Sequence, residues 1–134
     1  MPEPSVGDIT VLAVDDSASI RKLVDLTLRR EGYNVITADS GLTALAALAR
    51  QRPDLLLLDV MLVALDGFQL CRVIRDHPTY GDLPIIILSG RETTADREAG
   101  LRAGISAYLT KPFRPEQLLE AVREQLAAAP KVVA

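Results

Sequence analysis

Cysteine is nearly missing from this chain: Cys71 is the single one in 134 residues. One thiol excludes an intrachain disulfide and points to a reducing compartment, with Cys71 itself a small core or helix-face residue. Basic charge is not in excess. A net charge of −3 supplies no electrostatic footprint for nucleic acid and no polybasic patch for anionic lipid. No apolar run reaches membrane-spanning length, and the longest, Leu55 to Leu65, carries Asp59 inside it. The opening residues, Met1 to Asp8, have neither a basic region nor an apolar core, so they are no signal peptide. No Gly-x-Gly-x-x-Gly follows the first apolar run, which argues against a flavin or dinucleotide site. Internal repeats and low-complexity blocks are absent as well. These absences leave a cytoplasmic domain with no direct nucleic-acid or membrane partner.

At 49% hydrophobic and 25% charged residues, the composition is that of one soluble globular domain. Its length allows a core without disulfide or metal staples. The chain is organised around Pro53-Asp54-Leu55-Leu56-Leu57-Leu58-Asp59. Four consecutive leucines between a proline and an acid predict a strand buried on both faces, because four residues cannot sustain a helix. Ahead of it, residues 1–8 read as a flexible arm. Ile9 to Val14 predicts a first strand, and Ser17 or Ser19 caps a helix with Ile20, Leu23, Val24, Thr27 and Leu28 inward. Gly32 stops that helix. Tyr33 to Ala38 is a more polar strand suited to a sheet edge, and Ser40 caps a second helix with Leu42, Leu45, Leu48 and Ala49 inward.

Beyond the Asp59 strand, a loop through Asp66-Gly67 leads to a third helix with Leu70, Val73 and Ile74 inward. Ile85 to Leu88 predicts a fourth strand, residues 93–103 a fourth helix poor in apolar surface, and Ser106 to Leu109 a fifth strand. Pro115 opens the last helix, with Leu118, Leu119, Val122 and Leu126 on its core side. Residues 9–127 thus form one domain, and 128–134 a tail or linker stub. Five alternating strand–helix units imply an α/β fold with a parallel sheet and helices on both faces.

In such sheets, ligands bind at the carboxyl ends of the strands. The first strand ends at Asp15 and Asp16, the third at Asp59 and the fourth at Ser89, and Lys111 follows the fifth. A lone aspartate would merely cap the next turn; here side chains from four strand ends converge if those strands are neighbours. Several carboxylates in one dry pocket cannot all stay ionised unless a cation joins them. Oxygen-only ligands favour a hard ion such as Mg²⁺. A lysine and a hydroxyl beside that ion would complete a site for a phosphoryl group.

The motifs Val14-Asp15-Asp16-Ser17, Leu58-Asp59-Val60-Met61, Asp66-Gly67, Leu88-Ser89-Gly90 and Tyr108-Leu109-Thr110-Lys111-Pro112-Phe113 occur in this order. With them the chain resembles, over about residues 9–127, a CheY-like response-regulator receiver domain, the phosphoaspartate-accepting module of two-component signalling. The resemblance implies a flavodoxin-like (βα)5 doubly wound parallel sheet of strand order 2-1-3-4-5. It implies that Asp59 accepts a phosphoryl group from a histidine kinase or histidine phosphotransfer protein. Asp16, Asp59 and the main-chain carbonyl of Met61 would bind Mg²⁺, and Asp15 would reach it through water. Lys111 would pair with the phosphoryl oxygens and Ser89 would hydrogen-bond one of them, while Tyr108 matches the aromatic switch position. The bond before Pro112 is expected to be cis. Such a module is no conventional enzyme, since it catalyses only its own phosphorylation and dephosphorylation. Its downstream protein target would dock on the face of the fourth helix, fifth strand and fifth helix, and a phosphorylation-dependent dimer is among the forms implied.

Two positions depart from the family pattern. Val63 stands four residues past the acceptor, where proline is usual, and Gly90 stands where alanine is commoner. Neither removes a chemical group. A phosphorylation-independent pseudo-receiver, acting only as a binding scaffold, is the alternative from another class; degenerate relatives lose an acid or the lysine, and this chain keeps them all. A phosphohydrolase with an aspartyl nucleophile would want an acid where Met61 stands. Asp66-Gly67-Phe68-Gln69 with Cys71, together with the closing Thr110-Lys111-Pro112-Phe113, also resembles stand-alone regulators of pilus motility. No room for an output domain is expected after residue 127, so the chain reads as a single-domain regulator or a piece of a larger protein.

Overall fold

The leucine run forms the central strand of a parallel sheet in this computed structural model, which describes residues 6–62, 67–90, 98, 100 and 102–128. The strands are β1 (Thr10–Val14), β2 (Asn34–Ala38), β3 (Leu55–Asp59), β4 (Ile85–Ser89) and β5 (Ala107–Thr110). They pair in the order β2-β1-β3-β4-β5, all parallel. The helices are α1 (Ala18–Arg30), α2 (Gly41–Arg50), α3 (Gly67–Asp76) and α4 (Pro115–Ala128). Ahead of β1, Val6–Asp8 makes one 3-10 turn. Of the helix expected over 93–103, residues 98, 100, 102 and 103 are described, and they are helical. Val63, Asp66, most of the terminal arm and the tail from residue 129 lie outside the described residues.

Every residue of β1, β3 and β4 is buried, as strands covered on both faces require. Alternation divides them between two cores. Leu12, Val14, Leu56, Leu58, Ile85 and Ile87 face the side of α2 and α3. Val11, Ala13, Leu55, Leu57, Ile86 and Leu88 face α1 and α4. Each fully buried leucine or isoleucine contributes about 1.5–3 kcal/mol. The outer strand β2 alternates instead, with Val35 and Ala38 buried and Asn34 and Thr37 exposed.

Two helix faces differ from the sequence expectation. In α2 the buried residues are Gly41, Ala44 and Leu48, whereas Leu42 is 80% exposed and Ala49 is also exposed. Apart from Thr43 and Arg50, every residue of that helix is apolar or glycine, so periodicity alone does not single out one face. In α3 it is Cys71, not Val73, that joins Leu70 and Ile74 in the core, and Val73 is half-exposed. Cys71 lies against Ala103, whose carbonyl its thiol reaches at 3.1 Å. The caps are local: Ser17, not Ser19, caps α1, and Ser40 with Thr43 forms a reciprocal capping box on α2. Gly104, at φ +84, ends the helical residues ahead of β5 in the left-handed conformation that glycine adopts without penalty.

Candidate functional site

Register brings the strand ends level: Val14 pairs with Leu58, Asp59 with Leu88, and Ser89 with Thr110. The residues just beyond them therefore meet at one edge. Asp15 continues the β1 ladder, its N–H donating to the Ala38 carbonyl at 3.1 Å. Its Oδ1 accepts the Ser17 N–H at 2.9 Å, which turns the chain into α1, where the Ser17 hydroxyl caps Ile20 N–H at 3.3 Å. Arg21, one turn further on, donates from Nη1 to the Asp15 carbonyl at 2.8 Å. Asp15 is thus buried and held from both sides, whereas Asp16 is exposed at the rim.

Asp59 closes β3 and is 4% exposed, with Oδ1 accepting the Met61 N–H at 3.2 Å. The chain returns close beneath it at Gly67, whose N–H donates to the Val60 carbonyl. A Cβ at Gly67 would lie 2.5 Å from the Asp59 carbonyl oxygen, so only glycine fits this approach. Lys111 is placed by β5 and by its own N–H, which donates to the Ser89 carbonyl at 2.7 Å. The Lys111–Pro112 peptide is cis, and Phe113 is buried in the core beneath α4. From there Lys111 Nζ donates to Asp15 Oδ2 at 2.7 Å and lies 3.4 Å from Asp59 Oδ1.

The electrostatics follow. Burial, and then the charge of Asp15, push the Asp59 carboxyl above its ordinary value, although the Met61 N–H and Lys111 pull the other way. For Lys111, burial opposes the charged form, but the hydrogen bond and charge of Asp15, joined by Asp59, outweigh it and raise its pKa. The lysine therefore stays protonated at neutral pH. One carboxylate oxygen from each of Asp15, Asp16 and Asp59 lies within 4.8 Å of the others. Three hard oxygen donors this close, with one of them open to solvent, fit a hydrated divalent cation such as Mg²⁺.

Ser89 is buried at the end of β4, and Gly90 beyond it has open space where a Cβ would stand. Met61, two residues past Asp59, is 61% exposed. Tyr108 is not among the converging groups. Its ring packs half-buried on the α2–α3 side, edge-on to Phe68 at 6.5 Å. Gly100 makes room for it: a Cβ there would come within 3.1 Å of the Tyr108 ring and 2.6 Å of Ile105. Sequence reasoning missed Arg21 and the room that Gly100 leaves for Tyr108; it carried Gly67 in the Asp66-Gly67 motif, without the backbone contact to Asp59.

Residues 11–123 match the response regulator receiver domain family. The chain belongs to that family. Among curated proteins, this receiver domain is 46% identical over 116 residues to the response regulator MprA of Mycobacterium leprae, covering 87% of the present chain and 50% of that protein. MprA of Mycobacterium ulcerans is 43% identical over 118 residues, with shares of 88% and 50%. The chain spans about half the length of the curated relatives it matches. Among solved structures, the Vibrio cholerae chemotaxis protein CheY4 superposes with a TM-score of 0.85 at 37% identity, over 87% of this receiver domain and 98% of CheY4. The receiver domain of the sensor histidine kinase PA1611 from Pseudomonas aeruginosa gives 0.81 at 33% identity, over 89% and 98% of the two chains. That structure has a magnesium ion coordinated in the active site cleft. Among the described residues, no helix is long and apolar enough to cross a membrane.

Proposed function

We propose that this receiver domain takes a phosphoryl group onto Asp59 from a histidine kinase or histidine phosphotransfer protein and thereby switches a protein-binding face. The observation that carries the reading is Lys111 Nζ at 3.4 Å from Asp59 Oδ1 within a cluster of three carboxylates. A carboxylate oxygen of Asp59 attacks phosphorus as the P–N bond of the donor phosphohistidine breaks, and the imidazole nitrogen departs with the bonding pair. Asp59 is aimed by the Met61 N–H, and Lys111 supplies fixed positive charge beside the oxygens of the transferring group. Asp16, Asp59 and the Met61 carbonyl would hold Mg²⁺, with Asp15 acting through water; the bound ion would neutralise the carboxylates and the phosphoryl oxygens. The protein is then no conventional enzyme but a substrate that assists its own modification.

Intact-mass measurement with acetyl phosphate tests the acceptor. One phosphoryl group is expected on the wild type with Mg²⁺, and none on Asp59→Asn or in EDTA. Labelling of the variant at the wild-type level would overturn the assignment.

The switch is read separately. An aspartyl phosphate adds charge and acceptor oxygens, one of which the hydroxyl of Ser89, at the end of β4, would meet by hydrogen bonding. The 98–103 segment, β5 and α4 would carry that shift to the target, with Tyr108 repacking over Gly100. Coupling of this kind is typically 1–3 kcal/mol, so a pulled-down partner should bind about 5- to 150-fold more tightly with beryllofluoride. Ser89→Ala should keep the label and lose most of that gain. Equal wild-type affinity in both states sinks the switch.

A further inference from the structure

The helix α2 carries two apolar stripes. Gly41, Ala44 and Leu48 face the sheet. Leu42, Leu45, Ala46 and Ala49, at i, i+3, i+4 and i+7, form a second stripe turned outward, with Leu45 half-buried and the others exposed. A single exposed leucine needs no explanation. This one, Leu42 at 80% exposure, heads a continuous stripe. The stripe borders an apolar groove of about 170 Å³ between α2 and α3, lined by Leu45, Leu48, Ala49, Val73, His77 and Tyr80 among others. The groove is held open at one end by Tyr80, whose hydroxyl donates to the Leu48 carbonyl at 2.7 Å. The stripe is thus a knob at one end and a hole at the other.

That arrangement is self-complementary under a two-fold axis. When a second copy of α2 is laid antiparallel on the first, Leu42 comes opposite Ala49 of the second copy and Leu45 opposite its Ala46. Large meets small at every step, which lets the helices approach closely. Each Leu42 enters the groove beside the other copy's Ala49. The end charges select the same orientation. Asp39 stands just ahead of α2 and Arg50 in its last turn, both exposed. Antiparallel packing sets each beside its opposite in the second copy and opposes the helix dipoles, whereas parallel packing sets like against like. We propose that the chain self-associates through α2 as an isologous dimer, the second copy occupying the α2–α3 groove.

A ten-residue helix face is small beside the roughly 1,200 Å² of total area that stable interfaces bury, so the dimer is weak and concentration-dependent. The helix packs over β1 and β2, and its outward stripe from Leu42 to Ala49 contains none of the residues of the acid cluster. Self-association is therefore indifferent to the state of Asp59, and it does not rest on the phosphoacceptor reading.

Sedimentation equilibrium of the full chain over a concentration series, with and without Mg²⁺ and beryllofluoride, tests this. The expected result is a dimer fraction that rises with concentration equally in both states. Leu42→Glu and, independently, Ala49→Arg should raise the dissociation constant at least tenfold, with unchanged thermal melting because both side chains are exposed. Asp39→Lys and Arg50→Glu should each weaken the dimer, and the double variant should restore it. A monomer up to about 1 mM, the edge of measurable affinity, overturns the proposal. So does a dimer that ignores Leu42→Glu, one that forms only with beryllofluoride, or a double variant no better than the singles. Loss of a different protein by the α2 variants, with the chain itself monomeric, would assign the groove to a hetero-partner and equally overturn it.

Discussion

Lys111 sits among more negative charge than it can neutralise. Two unit charges about 4 Å apart interact by roughly 4 kcal/mol at an effective dielectric of 20, and Lys111 faces both Asp15 and Asp59 at shorter range. Its own stabilising contribution is fully present below the ordinary lysine value of 10.5 and is lost only as pH rises through its higher folded value. Asp59 works in the opposite sense at neutral pH. With its folded pKa raised above 3.8, its contribution is full below that value and is lost as pH rises through the raised one, leaving an ionised group the pocket disfavours. Cys71 offers a test of the same physics far from the acids. Burial, eased only partly by Arg75, pushes its thiol above 9.0. We expect Cys71 to resist a thiol-reactive disulfide reagent in the native protein at pH 8 and to react at once in denaturant. Fast native-state reaction would show that the thiol is not enclosed between α3 and Ala103.

At the scale of elements, the start of α3 is set by a close backbone approach to the acceptor strand. Gly67 begins α3 against the backbone of the acceptor itself, with Asp59 O and Val60 Cα both inside 3.0 Å of any added Cβ. Backbone cannot swing aside as the end of a side chain can. Gly67→Ala should therefore cost about 2–3 kcal/mol and slow labelling of Asp59, whereas Gly90→Ala, with open space around it, should leave both unchanged. Chemical denaturation and a labelling time course check the pair; equal behaviour would contradict the close approach. Cap and breaker residues made helix limits legible, since Ser17, Gly32, Ser40 and Pro115 act on their immediate neighbours. The inward face of α2 was not legible. Its apolar residues lie on more than one side, and only packing on β1 and β2 decides which side is buried.

For the whole molecule, the acid cluster makes stability depend on its counter-ion. Three carboxylates converge, with Lys111 the lysine that reaches two of them. A cation that binds only the folded state adds RT ln(1 + [L]/Kd), about 1.4 kcal/mol at tenfold Kd. We expect millimolar Mg²⁺ to raise the Tm of the wild type by several degrees and Asp16→Ala to lose that gain. In EDTA, Asp59→Asn should melt above the wild type, because it removes a carboxylate that burial disfavours. A Tm indifferent to Mg²⁺ in the wild type would count against a metal site at this edge.

The order of apolar runs, breakers and acids was enough to determine a five-strand α/β domain with chemistry at its strand ends. Those signals are local or periodic: a four-leucine run buried on both faces, a serine before a helix, an acid closing a strand. Asp15, Asp16, Asp59, Ser89 and Lys111 were legible because a strand end has a defined place in such a sheet. Tertiary structure alone decided the rest. The inward setting of Tyr108 depends on empty space at Gly100, eight residues away in sequence. The exposure of Leu42 and Val73 depends on how their helices roll on the sheet. The grip of Arg21 on the Asp15 carbonyl and the contact of Gly67 with Asp59 depend on distances between backbone segments. No residue pattern encodes such distances, because they are set by the packing of the whole chain.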